Sequence, residues 1–379
     1  MPAFDWGQVA VTGLWGIAAL VVLLMGHVRR NAELRIGGLV WLGAVALQTL
    51  NFDGPKLAAD PRGCAFLVGA ACLLAGALVD RLAVRDDLSL VASGVLAVVS
   101  IGFAVAGLVE LVAGTEARNL ALVGLAAFYG LVSAAVLRRD RDLSTFLWSP
   151  ALVVAGAASW MLLGGTWLVL AWSAAAAALI GLARLTGERR FEVASLTFLV
   201  LALGRTLVFV APPSDLFEAN RHPEAGVPAL LLVIAAAAVF GWLLDDESLD
   251  RNGVTARRLT EATIAVLCVY AISLAILGVA EAIGGASVTT NFQRGHSVVS
   301  AFWGLLGLGV LYVGLKRGLT WLRVVGFGLF GLALAKLFLY DLAFLSSITR
   351  AMSFLAVGGL LLVAGFFVQK LSDNKPSTT

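Results

Sequence analysis

Three charged side chains interrupt an apolar tract near the end of the chain. The stretch "AKLFLYDLAFLSSITR", residues 335–350, places Lys336, Asp341 and Arg350 among side chains that favour hydrocarbon surroundings. Lysine and arginine bind phosphate and carboxylate groups, and a carboxylate accepts a proton or pairs with a cation. These residues therefore raise two alternatives, an anion-binding site and a structural ion pair.

Lys336 is the deepest of these charges. It follows Arg323 by 13 residues, which is about 20 Å along a helix and about two-thirds of the way across a hydrocarbon core of about 30 Å. A charge at that depth costs several kcal/mol unless it meets water or a partner. Lys336 is expected either to extend towards the outer interface or to face a cavity. In a cavity it would pair with Glu281 or Asp341, or contact an anionic ligand.

Asp341 and Arg350 lie on either side of one short predicted turn. Each stands at the helix end where the helix dipole disfavours its charge, the carboxylate at a C-terminus and the guanidinium at an N-terminus. Contact between the two side chains would neutralise both charges. They are therefore expected to form a structural clamp or, alternatively, to bind a ligand through one or both side chains.

Two further arginines are candidate anion ligands. Arg205 lies inside a predicted helix and cannot escape burial by losing its proton, so it either extends to the interface or holds a phosphate or carboxylate. Arg294 lies in "NFQRGHS" (291–297), which is predicted to be an outer turn with Ser297 capping the next helix. If that turn is functional, Arg294 binds an anion and His296 acts as a general base.

The full set of candidates shares a place in outer loops or outer helix halves. The predicted ligand-binding residues are Lys336, Arg205, Arg350, Arg294, Gln48 and Asn51. The residues that could supply a catalytic carboxylate or imidazole are Asp53, Glu281, His296 and Asp341. The three His and three Cys residues lack metal-ligand spacing, so neither a metal ion nor another cofactor is expected.

The composition indicates what kind of element must hold these residues. Of the 379 residues, 60% are hydrophobic and 13% charged, and the mean hydropathy is +0.94. Apolar runs of about 18 residues or more are typical of membrane-spanning helices. The sequence therefore predicts an all-α, polytopic integral membrane protein. Thirteen spans are expected, at 7–28, 34–52, 63–80, 88–112, 118–137, 144–163, 165–184, 191–211, 226–244, 258–284, 296–316, 320–341 and 348–370.

The distribution of basic residues predicts the orientation of these spans. Nineteen of the 27 Lys and Arg residues fall in alternate short loops and the C-terminal end, and such residues are retained in the cytoplasm. The N-terminus is therefore expected outside and the C-terminus in the cytoplasm. In this topology the candidate residues lie in the outer half of the membrane.

Weak internal similarity indicates repeated helical hairpins. The stretches "LRIGGLVWLGAVALQTLNFD" (34–53) and "LRVVGFGLFGLALAKLFLYD" (322–341) both begin with Leu-Arg. They place Gln48 and Lys336 at one position, and an Asp at the last. Residues 191–210 give a fainter copy, with Arg205 at the position of Lys336. The shared Leu, Gly and Ala content of apolar helices is the alternative explanation.

A single transmembrane domain is expected over residues 1–371, followed by a disordered cytoplasmic tail over 372–379. Within that domain, each proposed hairpin has a basic cytoplasmic turn and a Trp on its first arm. The hairpins run in the same direction, at 7–53, 165–210 and 296–341.

The C-terminal helices carry a recognisable set of polar residues. "SVVSAFWGLLGLGVLYVGLKRGLTWLRVVGFGLF", which begins at residue 297, contains a Ser-x-x-Trp pair at Ser300 and Trp303 and a basic turn. Lys336 with Asp341 follows, and then Arg350 before Ser-Phe. Over 297–371 the chain resembles a bacterial family of multi-pass membrane proteins known as domain of unknown function 2339. The resemblance implies a protein of the bacterial cytoplasmic membrane and no particular activity.

Three functional hypotheses remain open. The first is a protein that binds or translocates an anionic solute, sugar-phosphate or lipid headgroup at an outward-facing cavity. The second is an extracytoplasmic transferase in cell-envelope glycan or lipid assembly, and the third is a non-catalytic structural partner in a membrane complex. Membrane lipids and an anionic or lipid-linked substrate are the expected partners. The net charge of +3 gives no reason to expect nucleic acid, and the sequence indicates no oligomeric state.

Overall fold

The computed structural model of the protein describes residues 2–219, 221–244, 256–285 and 287–339, together with residues 355, 358, 359, 362 and 365. These residues form helices and short connections, and no strand occurs among them. Asp341 and Arg350 lie outside the described residues, and so does the predicted clamp between them. Most of the predicted span 348–370 and the whole predicted tail lie outside them as well.

Twelve long helices follow one another through the described ranges. Their bounds are α1 Pro2–Val28, α2 Ala32–Gln48, α3 Ala59–Ala83, α4 Asp87–Leu111, α5 Thr115–Leu137, α6 Arg141–Leu162, α7 Gly165–Thr186, α8 Arg189–Arg205, α9 Val227–Leu243, α10 Ala256–Ile283, α11 Val288–Lys316 and α12 Thr320–Leu339. Two helices continue as single π-helical turns, α2 into Thr49–Asp53 and α8 into Thr206–Val210. Two short 3-10 helices, Pro213–Leu216 and Pro223–Gly226, then lead to α9.

Ten helices in the described ranges are long and apolar enough to cross a membrane, namely α1 and α3 to α11. The predicted all-α, polytopic fold is thereby confirmed. α2 is shorter, with 17 residues before its π turn. The count of thirteen spans and the predicted orientation stay predictions.

The chain divides into two compact units, residues 1–198 and 199–379. The boundary between the units falls within α8, so that helix contributes residues to both. The expectation of one transmembrane domain over residues 1–371 stays a prediction.

The first unit builds its core on hairpins of neighbouring helices. α1 packs on α2, α3 on α4, and α5 on α6. Leu23 of α1, Leu42 of α2 and Leu73 of α3 are completely buried, and the ring of Phe66 packs edge-on against that of Phe103. Close-packed apolar side chains of this kind hold the helices of each hairpin together.

Side-chain caps fix where several helices of the first unit begin. Asn31 caps α2, Asp86 caps α4 by accepting from the backbone nitrogen of Ser89, and Asp140 caps α6 by accepting from that of Leu143. A cap satisfies backbone N–H groups that the first helical turn leaves without partners. The connections between hairpin arms can therefore be short.

The second unit packs α9 on α10, α10 on α11 and α11 on α12. α11 begins at Val288, where the Ser287 hydroxyl accepts from the backbone nitrogen of Thr290 at 3.3 Å. Residues 291–297 are therefore helical, and the predicted outer turn capped by Ser297 is wrong. The helix has 29 residues, more than the roughly 20 needed to span a membrane, so its polar first turns extend beyond the apolar run.

The hairpins α1–α2 and α11–α12 have the same turn geometry. Adding 288 to a residue number in the first hairpin gives the position that the Leu-Arg alignment equates with it in the second. The backbone nitrogen of Asn31 donates to the Gly26 carbonyl at 2.9 Å, and that of Leu319 donates to the Gly314 carbonyl at 2.9 Å. Both pairs occupy equated positions, so the two turns make the same backbone hydrogen bond.

The arms of the two hairpins also approach each other at equated positions. A Cβ atom on Gly38 would lie 2.7 Å from the backbone nitrogen of Leu23, and one on Gly326 would lie 2.6 Å from that of Leu311. Only a residue without a side chain allows two helix backbones to come so close. The two hairpins therefore share both their turn and their closest backbone contact.

Candidate functional site

Both π turns begin directly after a predicted ligand residue. Gln48 precedes the turn Thr49–Asp53, and Arg205 precedes the turn Thr206–Val210. The Thr49 hydroxyl donates to the Val45 carbonyl at 2.9 Å. The Thr206 hydroxyl makes the same contact to Ala202 at 2.8 Å. Single π turns inside helices are frequent at functional sites, because they change the direction in which the following side chains point.

A lysine, a serine and a tryptophan come together between α11 and α12. Lys336 Nζ donates to Ser300 Oγ at 2.7 Å and to the His296 carbonyl at 3.2 Å. It also lies 5.9 Å from the ring centroid of Trp303, within the range of a cation–π interaction. These contacts direct the ammonium group towards α11.

An apolar cavity of about 740 Å³ shares Trp303 with this cluster. Its lining is almost wholly hydrocarbon and includes Tyr270, Phe302, Leu306 and Leu332. The Tyr270 hydroxyl is 2.7 Å from the Pro212 carbonyl oxygen. The polar atom of this lining residue is thus engaged by the backbone.

The indole of Trp303 is held from the other side. Its Nε1 donates to Ser273 Oγ at 2.9 Å, and the Ser273 hydroxyl donates to the Val269 carbonyl at 2.7 Å. The ring is therefore fixed in orientation between the cavity and the ammonium group of Lys336.

His296 is packed within the second unit. It is 2% exposed, and its ring centroid lies 4.3 Å from that of Phe292 in an edge-on arrangement. Its backbone carbonyl accepts a hydrogen bond from Lys336 at 3.2 Å. The predicted role of His296 as a general base stays untested.

Arg294 and Arg205 both lie among apolar side chains. Arg294 lines a second apolar groove of about 570 Å³, together with Ile276, Val279 and Ile283, and this groove shares Ile272 with the cavity. The guanidinium carbon of Arg205 lies 4.5 Å above the ring centroid of Phe209. Arg294 thus lies beside aliphatic side chains, and the Arg205 guanidinium lies over an aromatic ring.

Glu281 is partly buried and carries one carboxylate oxygen, Oε2, that has no hydrogen-bond partner among the described residues. The predicted pairing of Glu281 with Lys336 stays a prediction. Asp341 and Arg350 lie outside the described ranges.

The remaining candidates belong to the first unit. Asn51 is exposed and donates to the Leu47 carbonyl of its own helix at 2.9 Å. Asp53 is 0% exposed, and its Oδ2 accepts from the Thr12 hydroxyl at 2.7 Å. Asp53 Oδ1 and the side-chain oxygen of Gln48 are buried without a hydrogen-bond partner among the described residues.

A buried ion-pair network in the first unit was not predicted from the sequence. Arg35 Nε lies 2.8 Å from Asp80 Oδ1, and its terminal nitrogens donate to both Asp86 oxygens at 2.8 and 2.9 Å. Arg81 Nε lies 2.8 Å from Asp140 Oδ2. In the sequence, Arg35 and Arg81 stand out only as two of the nineteen basic residues that predict the orientation of the spans. The sequence feature that could have indicated the network is that the helix ends with basic residues also carry acidic residues.

Among the described residues, no group of three or more His, Cys, Asp or Glu side chains could hold a metal ion. Of the site residues predicted from the sequence, Lys336 contacts Ser300 and the His296 carbonyl in the second unit, and Asp53 contacts Thr12 in the first.

The apolar helices define the chain as a multi-pass membrane protein. A family model described as "Predicted membrane protein (DUF2339)" matches residues 225–371. The C-terminal resemblance is thereby confirmed, and the match begins earlier than the resemblance did, so that it includes α9 and α10 as well as the Lys336 contacts. No curated protein and no solved structure matches the chain.

Proposed function

We propose that this protein binds an anionic amphiphile, a molecule with one apolar chain and a phosphate or carboxylate group, within its second unit. The observation that carries the proposal is that a single side chain, Trp303, lines the apolar cavity of about 740 Å³ and also lies below the Lys336 ammonium group. A chain in the cavity and an anion at Lys336 would belong to one ligand.

The cavity favours an apolar chain but supplies little selectivity. Its volume lies within the range of roughly 300–1,000 Å³ usual for ligand pockets. A chain that leaves lipid for this cavity exchanges one apolar medium for another, so no hydrophobic gain drives the transfer. Discrimination between ligands would therefore come from the charged end.

Lys336 supplies that discrimination. Its contacts include Ser300 Oγ and the His296 carbonyl. A phosphate or carboxylate at the ammonium group would add the attraction between opposite charges, which is stronger in a low-dielectric interior than in water. In the predicted topology the site lies in the outer half of the membrane and serves a ligand that enters from the outer leaflet.

The transferase hypothesis has less support from the contacts. His296 is almost completely buried, and Asp53 accepts a hydrogen bond from a threonine of its own unit. No described contact favours the hypothesis of a purely structural partner over ligand binding.

Binding of dodecyl phosphate, compared with neutral dodecanol, tests the proposal. The protein in lipid nanodiscs should prefer the phosphate, and Lys336→Met should weaken dodecyl phosphate binding about tenfold or more while leaving dodecanol binding unchanged. Leu306→Trp, which fills the cavity, should weaken both. The matched control is Lys316→Met, which removes an exposed lysine at the end of α11 and should bind as the unaltered protein does. Equal binding of dodecyl phosphate to the Lys336→Met variant and the unaltered protein would overturn the proposal.

The predicted orientation has a separate test. Reporter fusions at Arg139 and Glu218 should report opposite sides of the membrane. A result with both on one side would contradict the thirteen-span topology and the outward-facing placement of the site, without touching ligand binding itself.

A further inference from the structure

A second polar site lies in the first unit, at the position that the hairpin alignment equates with the Lys336 contacts. Thr12 and Ser300 occupy equated positions on the first arms, and Gln48 and Lys336 occupy equated positions on the second arms. In each hairpin the hydroxyl contacts a charged or ionisable side chain of the second arm: Ser300 accepts from Lys336, and Thr12 donates to Asp53. The equated hydroxyl therefore contacts a lysine in one unit and, in the other, an aspartate that lies five residues beyond the position equated with that lysine.

The surroundings of Asp53 do not match those of an ordinary ion pair. Asp53 and Thr12 are both 0% exposed, and Thr12 provides the one recorded hydrogen bond, to Oδ2. Oδ1 is buried and has no hydrogen-bond partner among the described residues. A carboxylate with so few donors is costly in a low-dielectric interior, whereas a neutral carboxyl group is much less so.

Among the described residues, the charged side chains of the helices packed around Asp53 form no ion pair with it. Arg62 of α3 donates to the Gly54 carbonyl and to Glu110, at 3.2 and 2.7 Å. Lys56 and Asp60 are exposed, and Asp5 lies near the start of α1. None of the recorded ion pairs among the described residues includes Asp53.

The π turn brings Gln48, whose side chain can accept a hydrogen bond, towards the face of the helix that carries Asp53. In a π turn the backbone bond runs from residue i to i+5, as between the Thr49 carbonyl and the Gly54 nitrogen. Residues five apart, such as Gln48 and Asp53, therefore lie closer to one face of the helix than they would in an α-helix, where they are about 140° apart. The side-chain oxygen of Gln48 is itself buried without a partner among the described residues.

We propose that Asp53 is a proton-binding site, with an exchangeable proton on Oδ1 while Oδ2 accepts the hydrogen bond from Thr12. A proton on Oδ1 would allow this oxygen to donate a hydrogen bond. The Gln48 side-chain oxygen is the acceptor that we propose for it. The site would give the first unit a means of taking up and releasing protons within the membrane. This function is independent of ligand binding at Lys336.

Infrared spectroscopy tests the site directly. The C=O stretching band of a protonated carboxyl group should be present in the intact protein near neutral pH and lost in Asp53→Asn. The matched control is Glu110→Gln, which removes a carboxylate paired with Arg62 and should leave the band unchanged. Absence of a band difference between the intact protein and Asp53→Asn at every pH tested would show that Asp53 is not protonated and would overturn the proposal.

A pH titration of the same band distinguishes a proton-binding role from simple burial. Thr12→Val removes a hydrogen bond that favours the ionised form, so the midpoint of the band should move upward by about one pH unit. A carbodiimide, which reacts with protonated carboxyl groups in apolar surroundings, should label the Asp53 peptide, and labelling should decline as the pH rises. A band that persists unchanged across the accessible pH range, in both the intact protein and Thr12→Val, would contradict an exchangeable proton.

Discussion

The hairpins α1–α2 and α11–α12 share a backbone arrangement and differ in the chemistry that it carries. Their turns make the same hydrogen bond, and their arms come closest at Gly38 and Gly326. Yet the first holds Asp53 against Thr12, and the second holds Lys336 against Ser300. The comparison shows that small residues and turn geometry can give two hairpins the same backbone arrangement while their polar side chains make different contacts.

A second contrast lies at the basic turns. Arg35 and Arg323 occupy equated positions, but Arg35 enters an ion-pair network with Asp80 and Asp86. Arg323 Nε instead donates to the Gly314 carbonyl of its own hairpin at 3.2 Å. Arg35 thus links the first hairpin to a neighbouring hairpin through ion pairs, whereas the hydrogen bond of Arg323 stays within its own hairpin.

The largest expected effect separates these two arginines. Arg35→Met should lower the free energy of unfolding by about 3–5 kcal/mol, because it removes the guanidinium from the completely buried carboxylate of Asp80 and leaves His27 Nε2, at 3.4 Å, as the remaining basic group beside it. Arg323→Met should cost about 1 kcal/mol, the usual contribution of one hydrogen bond. Denaturant titration in mixed micelles measures both. Losses of similar size would show that the two turns are held in the same way.

The next effect tests the shared helix contact. Gly38→Ala and Gly326→Ala should each destabilise the protein by about 1–3 kcal/mol, because the added Cβ would overlap a backbone atom of the facing arm. Gly43→Ala and Gly328→Ala are matched controls, since nothing lies within 4 Å of a Cβ at either position. These controls should be neutral or stabilising by up to about 1 kcal/mol. If the added methyl group destabilised the protein in only one of the two hairpins, the two hairpins would not share this close helix contact.

A smaller effect concerns the left-handed residue of each turn. Arg30 has φ +52° where Gly318 has φ +70° and Gly187, in the fainter copy, has φ +69°. Arg30→Gly should therefore stabilise the protein by about 1 kcal/mol, and Gly318→Ala should destabilise it by about as much. Arg29→Gly is the control, because Arg29 does not have a positive φ and should gain nothing. Thermal unfolding of the three variants measures the differences.

The smallest expected effect is the pH dependence that the Arg35–Asp86 ion pair gives to the free energy of unfolding. The Arg35 guanidinium, with the backbone N–H of Ser89, lowers the pKa of Asp86 from 3.8 to about 2. A lowered pKa means that the stabilisation is complete above the ordinary value and is lost as the pH falls towards about 2. The effect should be modest because the Asp86 side chain is 47% exposed.

Asp86→Asn isolates this dependence, since asparagine retains the capping ability of the side chain. Unfolding of the intact protein and of this variant should be compared at neutral and acidic pH. The intact protein should be the more stable at neutral pH, and the difference should shrink as the pH falls. A constant difference would rule out the Arg35–Asp86 pair as its source.

Hydrophobic run length predicted most of the helices, since crossing a hydrocarbon core requires about 20 apolar residues. It could not predict that α11 begins at Val288, because Asn291, Gln293 and Arg294 are typical of turns and the helix continues past the apolar boundary. Lys336 was predicted to be a charge deep within a span for the same reason that the spans were predicted, namely its position along a predicted helix, and in the structure it is half-buried.

The partners of these residues depended on packing and were not predictable from local patterns. Ser300 was noted only as part of a family pattern, and its bond to Lys336 requires the register of α11 against α12. Thr12 gave no signal, because an isolated threonine in an apolar helix is common. The ion pairs of Arg35 and Arg81 likewise depend on how separate hairpins pack together.

The π turn after Gln48 also limits which changes in chain length the first unit can accept. Relative to an α-helix it is equivalent to one inserted residue, and removal of a residue between Thr49 and Asp53 would restore the α-helical repeat. Every side chain beyond the deletion would then rotate by about 100°, which would carry the carboxyl group of Asp53 away from Thr12. A deletion of one residue is usually tolerated in a surface loop. Here it would separate the Asp53 carboxyl group from the Thr12 hydroxyl without changing either side chain.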